Sequence, residues 1–251
     1  GVADLPHVSV LRGVTVTRLL QAPEPGVPRA AAVLGVEAEV AAGEGGADAA
    51  AALGGPGTVH VEADAVVLAT GGYARDGGEG GLLPSWASAL PTTSGPHADG
   101  AGVRMGAAAG ARTVDLDRVQ VHPTAFAATG GDGGDGGAAL WLCPEAARGA
   151  GAVLLDARGR RFVDELGRRD AVTAAMGASG AWLVLGARGA AEFGEAALDV
   201  YRRRGLVERV EGGAAGVAEA LGAPREVVAA ELAAYAAAAA AAAGRGRAVG
   251  G

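Results

Sequence analysis

The chain has 251 residues, 45 of them Gly and only one Cys, with a formal net charge of −7, a hydrophobic fraction of 50% and an aromatic fraction of 4%. The length allows one large domain or two small ones with a sizeable core, and the single cysteine excludes a disulfide framework or a multi-cysteine metal site built by this chain alone. The acidic balance argues against a nucleic-acid binder that neutralises phosphates, and no apolar run is as long as a membrane span.

The first seventy residues are rich in short Val-containing runs. Residues 7–11, 14–20, 32–40 and 58–62 read as strands of a meander, and Ala41 to Gly57, almost all Ala, Gly and acid, reads as a long hairpin loop. Asp64 to Thr70 (DAVVLAT) is a continuous apolar run closed by Gly71 and Gly72. It predicts a fully buried parallel strand that ends in a tight turn. Residues 76–83 read as loop and 100–111 as an Ala-rich helix.

Farther on, residues 119–122 predict a short strand stopped by Pro123, and 127–138 a Gly/Asp loop. Residues 153–155 and 161–163 predict a hairpin turning at Gly159. A helix is expected from Asp170 to Met176, a strand over 182–185, and helices over 191–204, 213–221 and 224–243, the last with Pro224 in its first turn. The expected organisation is a β-rich part over residues 1–118, an α+β part over 119–245 and a tail over 246–251.

All 21 basic residues are Arg, and Ala and Gly dominate the rest, the signature of a GC-biased genome. Glycine motifs arise cheaply in such a chain, so the informative residues are those the bias does not produce. Three segments hold them: Ala65 to Asp76 (AVVLATGGYARD), Pro91 to Phe126 with its VQVHPT stretch, and Glu145 to Met176 with Gly167-Arg168-Arg169-Asp170. In this order and spacing they resemble the fumarate reductase/succinate dehydrogenase flavoprotein family, and its soluble fumarate reductases above all.

The resemblance implies an α/β and α+β fold: a partial FAD-binding, Rossmann-like domain with a β-meander, followed by an α+β capping domain. It implies FAD as cofactor, with Ala69, Thr70, Gly71 and Gly72 against it, and Gly100 and Gly102 in a second cofactor-binding turn. That turn departs from the family: Asp99 stands at the Thr position and Ala101 at the Asp position of a usual Thr-Gly-Asp-Gly. A lone histidine is more often structural than liganding, but His122, with Thr124 beside it, corresponds to a site that binds a substrate carboxylate. Arg169 corresponds to the family's proton donor, and Glu145 and Arg148 to its proton relay. Asp170 could cap the following helix or orient Arg169. Arg158, Arg160 and Arg161 read as surface or hairpin residues, and Cys143 as a small apolar side chain.

The resemblance therefore implies hydride transfer from flavin to fumarate or a related small dicarboxylate, with no metal ion and with the electron donor and compartment left open. The alternatives are a related flavoprotein of the L-aspartate oxidase, urocanate reductase or ketosteroid dehydrogenase type, and a non-catalytic remnant. No strand–GxGxxG–helix unit occurs, and the family's second substrate His, its carboxylate-clamping Arg and its final flavin segment do not follow Arg247. The expectation is an internal fragment that binds FAD weakly or not at all and does not turn over alone.

Overall fold

The structure is a computed structural model and describes residues 5–22, 32–127 and 140–248. The chain divides into two compact units, Gly1–Val119 and Gln120–Gly251.

In the first unit, β1 (Val14–Gln21), β2 (Val33–Val40) and β3 (Gly57–Glu62) form an antiparallel meander in the order β1-β2-β3. A register shift between Val16 and Arg18 leaves Thr17 as an extra residue in β1, a bulge that bends the strand. The register puts Arg18 opposite Glu37 and Glu37 opposite His60, so one carboxylate takes a partner from each flanking strand. Arg18 Nη2 lies 2.6 Å and His60 Nε2 3.1 Å from Glu37 Oε2. The β2–β3 connection is not the open loop expected from its composition. It contains a 3-10 turn (Glu44–Gly46) and helix α1 (Ala47–Leu53), stopped by Gly54 in the left-handed conformation. Alanine supplied helix propensity where the composition suggested only a linker.

Residues 7–11 turn and run on without pairing rather than forming a strand. Asp64–Thr70 joins no ladder among the described residues, and Val67 is 87% exposed. An apolar run states a demand for burial, which the described residues do not meet here. After it come the short helix α2 (Ser85–Ser88) and α3 (Ala101–Ala108).

In the second unit, α4 (Glu145–Gly149) precedes β4 (Val153–Leu155), which pairs antiparallel with β5 (Trp182–Val184). Between them lies α5 (Arg169–Met176), then a 3-10 turn (Gly177–Ser179). The predicted 191–204 helix is two helices, α6 (Ala187–Phe193) and α7 (Glu195–Arg203), broken at Gly194 with φ +105°. Helices α8 (Ala214–Leu221) and α9 (Arg225–Ala248) follow. Val153 and Leu155 of β4 pack on Ala218 of α8 and Val228 of α9, with Leu232 and Tyr235 at the margin.

The expected turn at Gly159 is present: Gly159 N–H donates to Asp156 O, Asp156 N–H to Arg160 O, and Gly159 has φ +78°. Its second strand is reduced to one bridge, Leu155 to Arg161, because β4 pairs with β5 instead. Residues 119–122 form no strand; the nearest pairing among the described residues is a bridge between Ala125 and Leu142. Most of the 127–138 loop and the last residues of the tail lie outside the described residues.

Candidate active site

Two groups of the sequence-predicted residues assemble, one in each unit. In the first unit, Ala69 to Gly72 form an exposed backbone stretch. Gly71 has φ +87°, and a Cβ built on Gly72 would meet nothing within 4 Å. That open backbone fits a flat ligand approaching closely, as a dinucleotide does.

Gly100 and Gly102 serve a different need. Gly100 N–H donates to Gly72 O at 3.1 Å, tying the start of α3 to the ATGG stretch. Gly100 has φ +77°, and a Cβ there would lie 2.6 Å from Leu82 Cδ1. A Cβ on Gly102 would run into Thr70 Oγ1. Both glycines are buried and let α3 sit against residues 70–73. Asp99 Oδ1 accepts the first N–H of the helix, from Ala101, at 3.0 Å. A carboxylate there disfavours a second anion at the start of this helix. Asp76 completes the support: its Oδ2 accepts from Leu82 N–H and from Arg104 Nη2.

In the second unit, Arg169 opens α5 and Glu145 opens α4, so the two helix starts bring them together across 24 residues of sequence. Arg169 Nε and Nη2 both donate to Glu145 Oε2, the former at 2.9 Å. Arg169 Nη1 donates to Gln120 Oε1 at 3.0 Å, a partner that no charge pattern in the sequence signalled. The Arg169 hydrogen bonds, then its charge, hold the Glu145 carboxyl below the usual carboxylate range, and the charges of Arg148 and His122 add to this. Three of the five proposed polar residues of this unit, Arg169, Arg148 and His122, thus bear on a fourth, Glu145.

Arg148 stands one helical turn after Glu145 in α4, on the same face. It is 2% exposed, and its Nη1 donates to Glu165 O at 2.5 Å. Its Nε and Nη2 are buried with no partner among the described residues. Glu165, also buried, was missed by the sequence reading. Its carboxylate accepts Leu154 N–H at 2.8 Å and both forks of Arg161. Arg161 is thus no free hairpin residue; the i, i+4 spacing to Glu165 was its signal.

His122 Nδ1 lies 2.9 Å from Thr124 O. With Nδ1 engaged by the carbonyl and N–H of Thr124, Nε2 is left to serve as an acceptor or, carrying hydrogen, as a donor to a carboxylate. Thr124 is buried, and its hydroxyl donates to Cys143 O at 2.9 Å. It ties the histidine segment to the residues that lead into α4. Cys143 is buried, which pushes its thiol up. Asp170 pairs with Arg168 on the surface, and this pair together with first-turn N–H groups of α5 lowers its carboxyl; among the described residues no hydrogen bond joins it to Arg169. Among the described residues no group of three or more His, Cys, Asp or Glu is placed to hold a metal ion, and no helix is long and apolar enough to cross a membrane.

A family model described as an FAD binding domain matches residues 1–248. The chain is 44% identical over 158 residues to a fumarate reductase of Schizosaccharomyces pombe, covering 61% of this chain and 30% of that protein. It is 34% identical over 176 residues to an L-aspartate oxidase of Agrobacterium fabrum, covering 68% of this chain and 26% of the relative. Among solved structures, the open conformation of a flavocytochrome c3 fumarate reductase matches 91% of this chain and 36% of its own, with TM-score 0.48 and 24% identity. The chain thus spans about a third or less of the length of these curated relatives.

Proposed function

The chain belongs to the FAD-binding domain family of the fumarate reductase flavoproteins, with FAD as its cofactor, and from that premise we propose that it serves an FAD-dependent oxidoreductase that reduces fumarate or a related unsaturated dicarboxylate. In this reading residues 1–118 supply flavin contacts through Ala69 to Gly72, and residues 119–245, as a substrate-capping domain, supply the chemistry on the substrate side. The observation that carries it is the two-pronged Arg169–Glu145 pair, with the buried Arg148 one turn away.

When bound, FAD supplies the hydride that adds to one alkene carbon. The other carbon needs a proton. A guanidinium, with a pKa above about 12, releases one only to a strongly basic acceptor such as a developing carbanion. Arg169 still has N–H groups not engaged by Glu145 or Gln120, and Glu145 Oε2 sits against Nη2, where a proton can be returned. Arg148 holds Glu145 electrostatically from the buried side. The site carries two arginines against one carboxylate, and His122 adds a donor when protonated, so its excess positive charge suits a substrate with two carboxylates. Charge offset at the carboxylate nearest the reacting carbon also stabilises the negative charge that develops there.

The test is reduction of fumarate by the FAD-loaded enzyme carrying R169Q. Retained turnover would refute Arg169 as the donor. A second reading, oxidation of an amino dicarboxylate, is supported by the likeness to L-aspartate oxidase; side-by-side assays with fumarate and L-aspartate separate the two.

A further inference from the structure

Arg148 is the most deeply buried charged group of the site, and how it is held decides what it can do. Of its guanidinium, only Nη1 is tied to the protein, by the main-chain carbonyl of Glu165. Nε and Nη2 stay buried and unpaired among the described residues. The peptide that carries the carbonyl has little freedom. The Glu165 side chain is 3% exposed and reaches back to Leu154 N–H on β4. Arg161 Nε donates to both of its oxygens at 2.9 Å and Nη2 donates to Oε2 at 2.6 Å. Arg161 in turn lies over the Tyr235 ring of α9, 5.2 Å from its centroid. A chain of contacts therefore runs from the hydrophobic core to one oxygen atom, and that atom fixes Arg148.

We propose that the Arg161–Glu165 pair is a positioning device for Arg148: it locks the Glu165 carbonyl onto Nη1, so that the Nε and Nη2 edge is kept unpaired for the Glu145–Arg169 pair. Glu165 and Arg161 touch no reacting atom in this arrangement; they act through Arg148. A forked carboxylate–guanidinium contact suits that task, because it fixes orientation as well as distance. The inference rests on the reading of Arg148 as the partner of Glu145 in proton supply.

The test follows the Arg148 Nε–H resonance of the full chain by NMR, assigned by its loss in R148K, together with the titration of the Glu145 carboxyl. The variants are E165Q, which keeps size and loses charge, and R161Q, at a position one-third exposed that spares Glu165. R161K, which keeps the charge without the fork, is expected to fall between R161Q and the unaltered chain. In E165Q and R161Q, exchange of the Arg148 Nε–H quickens on the order of tenfold and the Glu145 midpoint rises. Methyl shifts of Val153, Leu155 and Val228 stay in place. If Arg148 exchange and Glu145 titration match the unaltered chain in both, the proposal is wrong. Should E165Q fail to fold, R161Q and R161K decide it alone. None of these readouts needs turnover. An unaltered holoenzyme that does not reduce fumarate would defeat the proposed function while leaving the positioning role to be judged by these spectra.

Discussion

Arg169 and Glu145 meet through a single oxygen: Glu145 Oε2 accepts from both Nε and Nη2 of Arg169. The other Glu145 oxygen is free of this pair, and about half of that side chain is exposed, so the carboxylate is both held and reachable. Pairing of this kind keeps Arg169 from swinging away while leaving N–H groups for another acceptor.

The first prediction concerns that pair in the FAD-loaded enzyme. R169Q removes the donor and should lower kcat for fumarate by roughly 10²-fold to 10⁴-fold, the range expected for loss of a positioned general acid. E145Q keeps a hydrogen-bond acceptor but no charge, and should lower kcat with a smaller change in KM. Steady-state kinetics with a reduced dye as electron source reads both. Equal kcat in R169Q and the unaltered enzyme would remove Arg169 from the mechanism.

The same pair sets a pH dependence. Arg169 lowers the Glu145 pKa, so the pairing is fully present above the ordinary carboxylate value and is lost as pH falls through the lowered one. In R169Q the Glu145 midpoint should move back up towards the usual range. A carbon-detected NMR titration of the Glu145 carboxyl checks this, and an unmoved midpoint would assign the shift to Arg148 and His122 instead.

How much of this was readable beforehand depends on the kind of signal. Helices α8 and α9 and the three meander strands follow from local periodicity and turn residues, which the chain carries in its own order. The Arg169, Glu145 and Arg148 trio was found through a family pattern, since nothing in the chain between them forces two helix starts 24 positions apart together. Gln120 escaped because a neutral amide leaves no charge pattern. Arg161 and Glu165 escaped because Arg is abundant here, so one more beside a turn drew no notice. Asp64 to Thr70 misled in the opposite way: its apolarity was real, but burial needs partners, and the run remains exposed among the described residues.

Thr124 offers a test of architecture apart from chemistry. Its buried hydroxyl donates to Cys143 O, so T124V leaves that carbonyl without its donor. The cost should be about 1–3 kcal/mol in denaturant unfolding. If Thr124 positions His122 instead of touching substrate, kcat in the FAD-loaded enzyme should fall along with the ordering of the His122 ring, with KM affected less. A loss confined to KM would restore Thr124 to direct substrate contact.

In the meander, Glu37 takes Arg18 from one neighbouring strand and His60 from the other, and its carboxyl is lowered from 4.5 to about 2, chiefly by the Arg18 hydrogen bond. The contribution of a lowered acid is present above the unfolded-state value and is lost between about 4.5 and about 2 as pH falls. R18Q should therefore raise the Glu37 midpoint and shrink the difference in thermal stability between pH 5 and pH 2. Its partners Arg18 and His60 are exposed, so added salt should shrink the same difference in the unaltered chain. A Glu37 midpoint near 4.5 in the unaltered chain would show that the cross-strand pair does not hold in solution.

The turn at Gly159 ties β4 to α9. Its φ of +78° is open to glycine and costly for other residues, and a Cβ there would stand 2.5 Å from Val228 Cγ2. Val228 is fully buried and belongs to the core with Val153 and Leu155, so it has no room to withdraw. Left-handed strain and overpacking act together in G159A, and the expected loss is about 2–4 kcal/mol in urea unfolding. V228A in the same background relieves the clash but not the backbone strain. The double variant should therefore lose less than the sum of the two single losses, because the Cβ contact is removed only once. Strict additivity would mean that the turn does not press on α9, and the contact between Gly159 and the helix would have to be abandoned.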